Sequence, residues 1–310
     1  MIRGDEGGNN TGKKKKKKSN GLQSYIMLSP QIFGFLVFSI YPLIWAMKQS
    51  FYFYNTIQSQ TRFVGLENFR ILFGDANYWK SFGNTLLFAA MKIPIELSIA
   101  LLLAVLLNAK FRGRGFFRAM FYLPHVVSTA IIALIFSNIF SYFGVVNSAL
   151  TQWGVLDNSV DWFGTKMKAM WILVIADIWK SLGVNILYFL AALQNVPEEV
   201  YESAKLDGAS SWVVFTQITI PMIAPVLKTI IMLSIVGTLG INELVVVLTN
   251  GAPSGSTFTV KSYIFSNYAP GMADVGVNVG YGCAMSLVTG ILLALITAVY
   301  RRLSKKLGEQ

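Results

Sequence analysis

Charged side chains inside apolar runs are the first candidates for chemistry in this chain, because an ion held in hydrocarbon is costly and seldom idle. Lys92 and Glu96 lie in one such run at i, i+4 spacing, so they share a helical face and can neutralise each other. Asp177 and Lys180 occupy a later run at i, i+3 and can pair likewise. With Trp179, Ser181 and Asn185 they make the middle of that run unusually polar. A third run carries Ser234, Thr238, Asn242 and Glu243, the first three on one helical stripe at i, i+4 and i+8. The Lys92–Glu96 spacing favours a structural pair. For the stripe two readings stand open: packing glue between membrane helices, or the wet lining of a path for a polar solute.

Catalytic signatures are missing. Gly255–Ser262 has the outline of a phosphate loop, but Val260 stands where the second glycine is required. His125, the single histidine, sits in Leu-Pro-His at the start of an apolar run and suits a structural place near the interface. Cys283 is the single cysteine, which excludes an internal disulfide or a cysteine metal site. No catalytic centre and no metal site is expected.

The elements that must position these residues are membrane spans. The chain has 310 residues, of which 54% are hydrophobic and 13% charged, too apolar for an ordinary soluble domain. Six runs reach the roughly 20 residues needed to cross a bilayer: 25–51, 85–109, 119–143, 169–193, 223–248 and 279–300. The fold class is therefore an all-α integral membrane protein with six transmembrane helices. The net charge of +11 raises the question of nucleic acid. Its distribution answers no: Lys13–Lys18, then Lys110, Arg112, Arg114 and Arg118, then Arg301, Arg302, Lys305 and Lys306 all flank apolar runs on the side that alternation makes common. Excess Lys and Arg marks the cytoplasmic face, so both termini are expected inside. Residues 1–20 are low in complexity and expected to be disordered, their lysine run setting topology and touching anionic lipid. The first apolar run is too long for a signal-peptide core and should remain as an anchor.

Three outer loops follow from this topology: Tyr54–Gly83, Ser141–Lys168 with Trp153, Trp162 and Phe163 as an interfacial element, and a Gly/Pro/Ser/Thr-rich Thr249–Asn278. The inner loop Glu198–Pro221 is different. Its pattern predicts a short helix over Val200–Asp207 after Pro197, a break at Gly208, and a second helix over Ser210–Ile220, with Pro221 opening the fifth span. A helix–turn–helix lying on the cytoplasmic surface results. As a mere connector resting on headgroups, it would leave the chain a channel or a secondary carrier.

The residues of this loop are more specific than that. Glu202-Ser203-Ala204, then Gly208, then Ile218-Thr219-Ile220-Pro221 have the spacing of E-A-A, three residues, G, nine residues, I-x-L-P. In this the chain resembles the membrane subunits of bacterial ATP-binding-cassette importers, with Ser203 and Ile220 as conservative departures. The stretch 197–209, Phe63–Phe69, Asn84-Thr85, Arg112–Arg118 with Leu123-Pro124, and Leu248–Pro253 are all similar to the sugar and oligosaccharide branch. The likeness covers about residues 25–305.

The resemblance implies a five-helix importer core at 85–303 with its coupling loop at 197–221. It is preceded by an added N-terminal helix and outer loop at 21–84, and flanked by tails at 1–20 and 304–310. It implies that Glu202 makes a charge contact with an ATPase subunit, that Ser203 and Ala204 seat the helix in a groove there, and that Gly208 makes the turn, with Ile218 and Pro221 completing the motif. The solute cavity would draw on Trp179, Ser181, Ser234, Thr238 and Asn242. The implied partners are a second homologous permease, two ATPase subunits carrying ATP and magnesium, an extracellular solute-binding protein, a sugar and membrane lipid. This chain itself would hold no cofactor and catalyse nothing. Two other classes remain beside it: an ion-coupled secondary transporter using Asp177, Lys180 or Glu243, and a channel or scaffold.

Overall fold

The computed structural model describes residues 21–55, 58–274 and 276–306; the expected disordered tail at 1–20, its lysine run, and the end of the 304–310 tail lie outside the described residues. The chain divides between Trp45 and Ala46 into two compact units.

The first unit is helical. Helix α1 (Gly21–Phe35) leads through a π-helical segment, Leu36–Ile40, into α2 (Tyr41–Gln49). Together Tyr25–Gln49 is long and apolar enough to cross a bilayer. The wide turn sits directly before Tyr41-Pro42, and the cause is local. Proline has no N–H to return to the carbonyl four residues back, and its ring crowds that carbonyl, so the preceding turn widens to i→i+5 pairing.

The second unit begins at Ala46, inside α2, and continues with a two-residue antiparallel pairing of β1 (Tyr52–Phe53) and β2 (Arg62–Phe63). Helix α3 (Glu67–Gly74) follows. Asn68, buried at the start of α3, donates Nδ2 to the carbonyls of Ser50 and Tyr52, each at 2.9 Å, and accepts from Asn278 Nδ2 at 2.9 Å. That one amide explains why the Phe63–Phe69 stretch reads as folded. Helix α4 (Ala76–Asn108) then starts on Asp75, whose carboxylate accepts from the N–H groups of Asn77 and Tyr78. Its 33 residues make about 50 Å at 1.5 Å each, well beyond the roughly 30 Å of hydrocarbon.

The third apolar run is not one straight span. It folds as α5 (Arg114–Val126) and α6 (Thr129–Ile139), bent by 96° at the break. Val127 is extended (φ −74, ψ 140), and Ser128-Thr129 begins the new helix, as residues that favour helix starts. Helix α5 lies against α8 (Lys166–Gln194) at backbone contact: a Cβ on Gly183 would fall 2.2 Å from the carbonyl oxygen of Phe121.

Between α6 and α8 stands α7 (Val145–Gln152). Here Asn147 organises the segment. Its Nδ2 donates to the carbonyls of Ser141, Tyr142 and Val160, and its Oδ1 accepts from Val160 N and Trp162 Nε1 at 3.1 and 3.0 Å. Trp162 also packs edge-on to Phe140 at 5.7 Å. Trp162 is therefore half-buried against the core, whereas Trp153 is exposed. Asn147→Leu strands these donors and acceptors together, each costing about 1–3 kcal/mol. Limited chymotryptic cleavage at Trp153, Trp162 or Phe163 should speed up about a hundredfold if the segment opens with that loss; an unchanged rate would mean the amide does not hold it.

After α8 come α9 (Glu198–Leu206), α10 (Ser211–Val213), a second π-helical segment at Val214–Thr219, and α11 (Ile220–Leu239). Residues Ser211–Leu239 form one continuous helix. Pro221 therefore does not open the fifth span; it lies within it. The wide turn again precedes a proline, as at Pro42. The span also ends earlier than the apolar run: Gly240–Asn242 breaks it, and α12 (Glu243–Leu248) is a separate short helix. Helices α13 (Val260–Tyr268) and α14 (Val279–Lys306) complete the fold. The loop before α13 is pinned by α4. Asn84 donates Nδ2 to the carbonyls of Ser256 and Phe258, each at 2.8 Å, and Thr85 Oγ1 accepts from Val260 N at 2.9 Å.

Among the described residues, five helices are long and apolar enough to cross a membrane, or six if α5 and α6 count as one broken span. The core runs along α4 and α8. Ala100 and Ala104 admit Ile186, Phe189, Leu190 and Leu193 at one end, and Phe88, Met170, Leu173 and Leu244 fill the other. Small residues on one helix and large ones on its neighbour let the pair close to interior density.

Candidate functional site

The loop after α8 is shaped by its ends. Glu198 and Glu199 fall in the first turn of α9 and Lys205 in the last, the order the helix dipole favours. At the far end Gly208 N donates to Lys205 O at 3.1 Å and Ala209 N to Ala204 O at 2.9 Å. This is the paired closure that leaves one residue left-handed, and Gly208 takes that place with φ +73. The helix lies one residue or two earlier than the sequence pattern suggests, but its break is where the glycine puts it. Ser210 then caps the next helix, its Oγ accepting from Val213 N.

Only part of the sequence motif faces outward. Glu202 and Ser203 are exposed, as are Asp207 and Gly208, and Leu206 is 89% exposed. Ala204 is 6% exposed and faces the chain's own interior. Helix α9 rests through Tyr201 on the core that α4 and α8 share, and the Tyr201 hydroxyl meets Thr219 Oγ1 at 3.4 Å. Beneath α9 lies a cavity of about 550 Å³ lined by Val105, Leu193, Tyr201, Ala209 and Phe215 among others. Ile218 is half-buried and Pro221 exposed, both in the stem of the span.

The charges inside the spans form one cluster. Lys92 Nζ lies 2.7 Å from Asp177 Oδ2 and 3.3 Å from Glu96 Oε2, and donates to Thr238 Oγ1 at 3.4 Å. Glu96 Oε1 accepts from Asn185 Nδ2 at 2.8 Å and from the Ser181 hydroxyl. Helices α4, α8 and α11 are thereby joined at one level. The i, i+4 pair expected from sequence is present. Asp177, however, does not pair with Lys180: its cation is Lys92, while Lys180 donates to the hydroxyl of Thr129 on α6. Spacing along one helix cannot reveal a partner on another.

The proposed solute stripe is divided by the tertiary structure. Ser181 and Thr238 meet the charge cluster, and Ser234 is buried one turn below Thr238. Trp179 is two residues from Asp177 and from Ser181, so it points to the other side of α8, where its ring packs at a tilt against Phe136, centroids 5.8 Å apart. There it lines a cavity of about 410 Å³ against α5. Asn242 lies beyond the end of α11, at φ −143, so it is not the third member of a helical stripe. Its Oδ1 is buried without a hydrogen-bond partner. The sequence had flagged most of these residues; it gave no sign of Thr129, nor of Asn147 as a hub.

A bundle of apolar helices, a polar helical loop on one side and a charged cluster at mid-span define a multi-pass membrane permease. Residues 96–309 match the family model described as "binding-protein-dependent transport system inner membrane component", and the chain belongs to that family of non-catalytic transporter subunits. The lactose transport system permease protein LacF of Rhizobium radiobacter is 32% identical over 282 residues, covering 89% of this chain and 92% of the relative. The trehalose/maltose transport system permease protein MalF of Thermococcus litoralis is 33% identical over 282 residues, with 91% and 93% covered. In fold the chain is similar to a chain of a bacterial ABC transporter involved in the import of the acidic polysaccharide alginate, with a TM-score of 0.79, 24% identity, and 92% and 96% covered.

Proposed function

We propose that this chain is one of two permease subunits in an ATP-driven importer of sugars or oligosaccharides in a bacterial inner membrane. The loop 197–213 faces the cytoplasm, as do both termini; the basic groups at 110–118 and 301–305 support that side. Two ATPase subunits dock there and bind the ATP and magnesium. An extracellular solute-binding protein docks on the opposite side, where α3, α7 and the loop before α13 lie. The observation that carries the reading is the outward face of α9. It presents Glu202, Ser203 and a fully offered Leu206 around a turn set by Gly208. An exposed leucine beside an acid, on a helix fixed at both ends, suits insertion into another protein's groove. Closing of the ATPase pair would move α9, and with it the α4–α8 core against which Tyr201 packs. The substrate class follows the named relatives, which carry lactose, trehalose and maltose, and an alginate transporter structure holds a pentasaccharide-bound periplasmic protein.

Ser181, Ser234 and Thr238 are proposed to meet the solute near mid-span. Vesicles holding the complete transporter and its binding protein should accumulate sugar when given ATP without any ion gradient. Uptake that needs a gradient and ignores ATP would instead make the chain an ion-coupled carrier.

A further inference from the structure

We infer that Lys261 is a specificity-determining residue that selects saccharides bearing an acid group; this rests on the solute-importer reading above. The break after α11 falls within the bilayer. Thr238, two residues before Gly240, bonds Lys92, which lies on α4 inside the apolar run 85–109. Lys261, the second residue of α13, reaches that level: its Nζ lies 3.5 Å from where a Cβ on Gly240 would stand. The side chain is exposed and, among the described residues, takes no hydrogen bond or ion pair. Glu243, the acid at the start of α12, is exposed too and forms no ion pair within 4.0 Å.

A free ammonium at that depth cannot face hydrocarbon. Irregular backbone such as Gly240–Asn242 is likewise tolerated at membrane depth only where it is covered by protein or lines water. The face of α11 and α14 beside Lys261 is therefore wet. A groove of about 480 Å³ opens there between Val236 and Leu239 on one wall and Leu293 and Thr297 on the other. It contains two cations, Lys261 and Arg301, and no acidic residue. Neutral sugar hydroxyls would gain little from such a lining. A carboxylate or sulfonate on a saccharide would gain a charge-assisted bond to Lys261, with Arg301 further along the same groove.

The test compares neutral disaccharides with disaccharides of glucuronic acid, in vesicles of phosphatidylcholine holding the complete ATP-driven transporter. Native protein is expected to carry the acidic solutes. Lys261→Met should cut their uptake about tenfold while leaving neutral ones unchanged, and Lys261→Arg should retain them. Equal loss for both solute types would overturn the inference, since Lys261 would then be paired with an acid of the second permease. Native transport of neutral solutes alone overturns it and leaves the importer reading intact. So does loss of acidic uptake by native protein on adding phosphatidylglycerol, which would make a lipid headgroup the occupant. Vesicles that carry no saccharide with ATP overturn both.

Discussion

Gly208→Pro should abolish ATP-driven uptake while the chain still inserts into the membrane in full. Gly208 holds φ +73 and donates its N–H to Lys205 O at 3.1 Å. Proline fixes φ near −65° and has no N–H, so both conditions fail together, at a local cost of about 3 kcal/mol or more. It also pushes the residue before it toward extended backbone. Asp207 is helical, at φ −74 and ψ 0, and caps α9, so the end of that helix would unwind. Leu206 and Glu202 would then lose their fixed place on the surface. The spans do not depend on this turn, because their packing lies along α4 and α8. Gly208→Asn is the control. A Cβ there meets nothing within 4 Å, and asparagine tolerates the left-handed region. Uptake by vesicles and protease protection of the loops read the two effects separately. Normal uptake in the proline variant would remove the loop from the coupling path.

The second large effect concerns Lys92. Lys92→Met leaves Glu96 and Asp177 facing each other at mid-span without their cation. Breaking a buried ionic group by removing one partner costs about 3–5 kcal/mol, because the remaining charge stays desolvated. Thermal unfolding of the purified protein in lipid should shift down strongly, and transport should fall with it. Replacing all three by neutral groups of like shape, Lys92→Met with Glu96→Gln and Asp177→Asn, should recover most of the stability, since neutralised groups no longer carry that penalty. If the single variant unfolds like the native chain, the cluster does not hold α4, α8 and α11 together. If the triple variant is stable yet transports nothing, the charges themselves serve the solute path, and Ser181 and Thr238 depend on them.

Helix α9 and its stop at Gly208 were legible because they are local. Acidic residues, a proline before and a glycine after act within a few residues, so pattern and structure agree there. The Asn84-Thr85 pair and Phe63–Phe69 were legible as motifs, but not their work. Asn84 bonds carbonyls more than 170 residues away, and no local pattern shows such a partner. The apolar runs gave the spans and mistook two of them. Hydrophobicity reports burial in lipid, not helical continuity, so the 96° bend at Val127 and the break at Gly240–Asn242 passed unseen.

By itself, then, the chain's sequence determined that this is a helical membrane protein, which stretches are apolar enough to enter the bilayer, and where a polar loop turns on a glycine. These follow from the length of apolar runs and from backbone preferences, which are properties of neighbouring residues. Only the tertiary structure decided which charges meet. It gave Asp177 to Lys92 and Lys180 to Thr129, turned Ala204 inward and Leu206 outward, and sent Trp179 to the far side of α8 from Ser181. Each depends on how whole helices pack, and electrostatic partners in a low-dielectric interior are set by distance across helices, not by spacing along one.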